Sequence, residues 1–211
     1  MKPAKKKTPP AKSTLHSGNV KGNVLPPEPL ERSEVQALIA ACSTRAPTGV
    51  RNRALIAVLW RGCLRITEAL SLKPADFNPD KGTLRILKGK GKKSRTVALN
   101  PEAAALLSRW LERRGKLGIN GHHPIFCTLD GGPVNASYVR NLLPRLARRA
   151  GILKRVHAHG LRHSGACLMR EAGVDIGVIS KALGHASIAT TSRYIDHISP
   201  KAVIEAMRNL E

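Results

Sequence analysis

From about Asn135 to the end of the chain the apolar residues recur at helical spacing, and the run is broken at Gly151, Gly173, Gly184 and Pro200. A side chain returns to the same side of a helix every three to four residues, so this pattern demands several short amphipathic helices in succession. The same period appears upstream. Val35, Leu38, Ile39 and Cys42 share one face, and Leu55, Val58 and Leu59 share another in a segment that Gly62 closes. Two stretches break the helical rhythm. Thr83 to Leu87 and Arg95 to Leu99 have strand character and flank KGKGKK, a segment expected to form a hairpin turn that projects Lys90. Asn100-Pro101-Glu102 then reads as a helix start, with Asn100 as cap and a buried stripe of Leu106, Leu107, Trp110 and Leu111. A further strand is expected around Ile125 to Thr128, before the turn at Asp130-Gly131-Gly132. The fold class expected is α+β, mainly α with one small sheet.

The 211 residues carry 42% hydrophobic side chains, enough to bury a core, and a formal net charge of +22 with an isoelectric point near 10.8. Such an excess points to a polyanionic partner, most simply nucleic acid, without specifying any chemistry. No apolar run approaches the roughly 20 residues that span a bilayer, so a membrane partner is not expected. Cys42, Cys63, Cys127 and Cys167 are widely spaced and no secretory segment opens the chain, which reads as reduced thiols in the cytoplasm. His122 and His123 near Cys127 lack the second pair that a tetrahedral metal site requires, so no metal is expected. Residues 1–29 hold six lysines (Lys2, Lys5, Lys6, Lys7, Lys12 and Lys21), several prolines and no acid before Glu28. This composition is expected to form a flexible basic arm, either a solvated tail or a segment that orders along phosphates.

The chemistry is concentrated in a few short stretches. His159, Arg162 and His163 stand together, followed by Gly184-His185 and Tyr194, with Arg65 and Lys90 upstream. A tyrosine attacks a phosphodiester only if its proton is removed and the charge developing on the phosphorane is offset, and histidines and arginines supply both. The boxes GCLRITEAL (62–70), GKGKKSRTVAL (89–99), HGLRH (159–163), LGH (183–185) and Arg193-Tyr194 resemble, in order and spacing, those of the tyrosine recombinase or phage integrase family. The resemblance covers roughly residues 26 to 211. It implies the recombinase catalytic-domain fold, with a three-stranded antiparallel sheet among helices, and site-specific cutting and rejoining of DNA through a 3'-phosphotyrosine.

Under that resemblance Tyr194 is the nucleophile and His159 its base. A tyrosine hydroxyl titrates near 10 and needs such help at neutral pH. Arg65 and Arg162 grip the non-bridging phosphate oxygens, since a guanidinium is planar, permanently charged and donates two parallel hydrogen bonds. Among 36 lysines and arginines a single arginine would otherwise read as surface charge, so both assignments rest on their boxes. His185 adds a hydrogen bond to the phosphate. Lys90 is the acid for the leaving 5' oxygen, chosen by its spacing to Val97 and Leu99, with Lys88, Lys92 and Lys93 close enough to leave the register open. Those three and Arg95 are expected to contact DNA. Glu68, one turn after Arg65, is expected to orient a guanidinium or His163, and His163 to support the base. Bond energy is conserved through the tyrosine ester, so neither ATP nor any other cofactor is needed. The lysine segment also lacks the glycine and the Ser or Thr of a P-loop.

The resemblance implies double-stranded DNA as partner, dimers to tetramers of this chain on it, and accessory DNA-binding proteins, all in a bacterial or phage setting at the nucleoid. Two departures are minor: Arg61 stands where the family prefers Thr, and Ala98 where it prefers Pro. A larger one concerns organisation: residues 30–211 are expected to form the catalytic domain, with no separate N-terminal core-binding domain expected. The chain then resembles either the single-domain fimbrial invertases or a catalytic domain whose partner was lost or removed. A type IB topoisomerase-like relaxing activity is the alternative within the same chemistry. Outside it, Asp175 to Leu183, the Gly184 turn and Ile188 to Tyr194 pass for a non-catalytic helix-turn-helix.

Overall fold

A computed structural model describes residues 28–87, 94–185, 187–195 and 208, with 193–195 described through their backbone. Lys88, Lys90, Lys92 and Lys93, nearly all of the basic arm, and the helix expected over 200–210 apart from Arg208 lie outside the described residues.

Among the described residues, eight α-helices and three strands follow in the order α1 (Arg32–Ala40), α2 (Pro47–Arg61), α3 (Ile66–Ser71), β1 (Phe77–Asn78), β2 (Thr83–Ile86), β3 (Arg95–Ala98), α4 (Pro101–Lys116), α5 (Ala136–Arg149), α6 (Ala158–Glu171), α7 (Ile176–Leu183) and α8 (Ile188–Ile195), with a 3-10 turn at Pro74–Asp76 before β1. The pillar is α2. Its residues from Gly49 to Trp60 are buried except Arg53, because α1, α3, α4 and α6 all pack against it. A helix covered on most sides is apolar all round, as Ala54 to Trp60 are, and the buried Arg51 and Asn52 nearer its start are matched by hydrogen bonds to the Cys127 carbonyl and the Tyr138 hydroxyl. Asn100 caps α4 as expected, its side-chain oxygen accepting from the Ala103 amide at 3.2 Å. The buried stripe of α4 is Ala103, Leu107, Trp110 and Arg114, and the expected Leu106 and Leu111 flank it half-buried. A 3.6-residue period selects positions 103, 107, 110 and 114 as one line and turns 106 and 111 to its two sides.

The sheet is antiparallel in the order β1-β2-β3, with Leu84 opposite Phe77 on one side and Val97 on the other. Its third strand is thus Phe77–Asn78. The strand expected around Ile125 to Thr128 does not form: Ile125, Phe126 and Cys127 are all fully buried, and their pairing is one bridge between Cys127 and Pro133 across the Asp130-Gly131-Gly132 turn. Ile125 spends its amide on the Leu72 carbonyl at 2.7 Å, which pins this run into the core as a loop. Short apolar runs have no period that would separate a strand from such a buried crossing. Gly151, Gly173 and Gly184 fall between the C-terminal helices as expected.

Candidate active site

The site is assembled at the C-terminal end of α2. Gly62 ends that helix and Cys63 takes a left-handed conformation (φ 48°), unusual for a residue with a Cβ. The reversal sends Leu64 into the core and leaves Arg65 at the start of α3. Behind this corner passes α6. A Cβ on Gly165 would overlap the Trp60 carbonyl oxygen and lie 2.7 Å from Cys63 Sγ, so only glycine lets the two helices approach this closely. The close approach brings Arg162, one turn earlier on α6, within reach of the corner: its Nη1 donates to the Cys63 carbonyl at 2.8 Å.

Arg162 is 2% exposed, and a charge so deeply placed must be matched. Its Nη2 donates to the Leu183 carbonyl at 2.7 Å and approaches His185 Nε2 at 3.2 Å, while Nη1 lies 3.7 Å from the Glu68 carboxylate. The Leu183 carbonyl belongs to the last turn of α7, where carbonyls lack partners along the helix. Gly184, in the left-handed region at φ 63°, stops α7 there and turns the chain so that His185 faces back onto Arg162.

Glu68 is the hub. Its carboxylate receives Arg65 Nη1 at 3.0 Å and both terminal nitrogens of Arg95, at 2.9 and 2.8 Å, besides the Arg65 amide at 2.9 Å. Burial alone would raise its pKa, but the hydrogen bonds from Arg95 and Arg65 prevail and hold it at about 2. Three guanidiniums thus surround one carboxylate, leaving the cluster strongly cationic. Arg65 and His159 form its exposed rim and Arg162 its buried floor, and His163, next to Arg162 on α6, is buried as well.

His159 and His185 are both pushed toward the neutral form. Burial, then Arg162 and Arg65, lower the pKa of His159, and the same three causes in that order push His185 down to about 4. An arginine has no acceptor, so in the Arg162–His185 contact the guanidinium donates and Nε2 accepts. The ring proton then resides on Nδ1, which donates to Thr191 Oγ1 at 2.8 Å. Thr191 is fully buried on α8, three residues before Tyr194, so His185 fastens the helix that carries the tyrosine.

The structure therefore gathers Arg65, Glu68, His159, Arg162 and His185 around one corner, with His163 buried on α6 beside Arg162 in sequence, and Tyr194 follows on the adjoining helix by its backbone. Arg95, expected to contact DNA, is engaged within the protein. Its guanidinium faces inward, with Nε donating to the Ala182 carbonyl at 2.8 Å. The sequence did hold a signal for this, since Arg95, Val97 and Leu99 alternate along β3 and the residue just after it, and so share one face on which Val97 and Leu99 are buried. Thr191 had no such signal.

Residues 28–199 match the sequence model of the phage integrase family. Tyrosine recombinase XerD of Ralstonia nicotianae is 36% identical over 170 residues, 80% of this chain and 55% of the relative. The crystal structure of XerA recombinase superposes with a TM-score of 0.77 at 30% identity, over 88% of this chain and 66% of that one. XerH site-specific recombinase bound to its palindromic difH substrate after cleavage gives 0.72 at 32%, over 91% and 55%. The chain spans about half the length of the curated relatives it matches.

Proposed function

The chain belongs to the phage integrase family, and on that premise we propose that it is a site-specific recombinase that cuts and rejoins double-stranded DNA through a 3'-phosphotyrosine. The observation that carries the reading is the convergence of Arg65, Arg162 and His185 on one cationic corner, directly ahead of the helix that bears Tyr194. A phosphodiester matches that corner in charge, and the phosphorane formed during attack carries still more negative charge for it to stabilise.

In this mechanism Tyr194 attacks phosphorus and gives its proton to neutral His159. Arg65 and Arg162 hold the non-bridging oxygens. The 5' oxygen leaves with a proton from Lys90, which sits between β2 and β3 by sequence, and Lys88, Lys92 and Lys93 contact the flanking phosphates. When a phosphate replaces Arg162 as the partner of His185, the ring needs its proton on Nε2. The hydroxyl of Thr191 accepts or donates and so supports either tautomer. Glu68 keeps Arg65 and Arg162 aimed, and the role proposed for the buried His163 is to support the base. Attack of the freed 5' hydroxyl on the phosphotyrosine reverses the step, so no external energy source enters.

Residues 1–29 are proposed as an arm and 30–211 as the catalytic domain, which pairs with further copies of itself on DNA, as dimers and then tetramers at synapsis. Accessory DNA-binding proteins and a place at the nucleoid in the cytoplasm complete the proposal. The test is a suicide DNA substrate incubated with the chain and with Tyr194→Phe. A denaturant-resistant adduct from the parent alone supports the reading, and sequencing the trapped DNA gives the site. Tight binding with no adduct from either returns the α7–α8 pair to a binding role, and relaxation of any plasmid without a preferred site favours a topoisomerase-like activity.

A further inference from the structure

We propose that Arg95 is a positioning residue that locks three parts of the active site to one another and makes no contact with DNA itself. The inference rests on the recombinase reading above. Arg95 is the first residue of β3 and pairs with Ile86, the last residue of β2, so it stands at the end of the strand pair that residues 88–93 join in sequence. From there its guanidinium forks onto both oxygens of Glu68, at 2.9 and 2.8 Å. Its Nε donates at 2.8 Å to the Ala182 carbonyl in the last turn of α7.

Each attachment ends beside a different reacting group. Glu68 carries Arg65 and faces Arg162. Ala182 lies just before Gly184-His185, and the next carbonyl, Leu183, is the one that Arg162 takes. Two guanidiniums thus cap the end of α7 side by side, one from β3 and one from the floor of the site. The side chain of Arg95 is only 10% exposed, and its three nitrogens are all engaged in these bonds, so little of it remains to meet a phosphate. A planar fork that donates in three directions has no lysine equivalent.

The test separates positioning from DNA contact. Binding of a suicide duplex is measured over a salt series, and single-turnover adduct formation at saturating DNA, for Arg95→Gln, Arg95→Lys, Glu68→Gln and the Arg95→Gln/Glu68→Gln double variant, with melting curves to establish that each is folded. Arg95→Gln is expected to bind with an unchanged salt slope while cleavage falls about 10- to 100-fold, the usual range for residues that orient a reacting group. Arg95→Lys regains only part of that rate. In the Glu68→Gln background the loss from Arg95→Gln shrinks to a few-fold at most, because the carboxylate it works through is already altered. Weakened binding with a salt slope lower by about one and unchanged cleavage at saturation would identify a phosphate contact and overturn the proposal. Equal losses in both backgrounds would overturn it too.

If the parent chain forms no Tyr194-dependent adduct, the recombinase reading fails separately. The tie to α7 is then read in the DNA-free protein, where Arg95→Gln should displace the His185 ring signals in NMR spectra. Unchanged signals would refute the tie.

Discussion

Replacing Glu68 by Gln keeps the shape of the hub and removes its charge. In the folded chain Glu68 titrates at about 2 against an ordinary value of 4.5, a depression set by Arg95 and Arg65 against the opposing effect of burial. At 1.36 kcal/mol per pKa unit, that difference corresponds to about 3 kcal/mol of stability. Because the folded pKa is the lower one, the contribution is complete above pH 4.5 and disappears as the pH falls toward 2. Glu68→Gln should therefore unfold more easily by about 3 kcal/mol at pH 7, close to what breaking a buried ion pair costs. For a chain of this size that is a melting temperature lower by roughly 6–12 °C. Urea titrations of both proteins from pH 7 down to pH 3 measure it. The other carboxylates titrate in parent and variant alike, so the difference between the two isolates Glu68. It should be flat from pH 7 to 5 and have lost more than half its size by pH 3. A constant difference across that range, or one below about 1 kcal/mol at pH 7, would refute the assignment of Glu68 as the carboxylate holding the arginine cluster.

The remaining predictions concern the corner and its reacting groups. Gly165→Ala forces a methyl against the Trp60 carbonyl and Cys63 Sγ, and should cost about 1–3 kcal/mol in denaturant titrations while slowing adduct formation at unchanged DNA affinity. The ring of His185 should titrate near pH 4 in the DNA-free protein, followed by NMR, and at a higher pH once a DNA phosphate offsets Arg162 and Arg65; a midpoint near 6.5 without DNA would contradict the geometry. Lys90→Ala should slow cleavage by about 100-fold or more and recover on DNA with sulfur in place of the 5' leaving oxygen, because a thiolate departs without a proton; no recovery would exclude the acid role.

Much of this was legible in the chain because local chemistry decides it. Helical spacing, the Asn100-Pro101 start and the left-handed stop at Gly184 each involve neighbours a few residues apart, and the structure places them where the sequence expects. The boxes that carry Arg65, His159, Arg162 and His185 likewise announce themselves by residue type and order. What the sequence left open depends on partners far along the chain. Ile125 to Thr128 reads as a strand until the Leu72 carbonyl claims its first amide. Arg95 reads as one more basic residue beside four lysines, although its alternation with Val97 and Leu99 already placed it on the inner face. Only the packed structure supplies the Glu68 carboxylate and the Ala182 carbonyl that make burial of its charge tolerable. The same holds for Gly165, whose role exists only because α2 ends against α6, and for Thr191, whose hydroxyl acquires meaning from the ring of His185. Periodicity and chemistry belong to the sequence itself. The direction in which a buried charge faces was settled by tertiary packing, because burying that charge is tolerable only where a distant carboxylate or carbonyl stands ready to receive it.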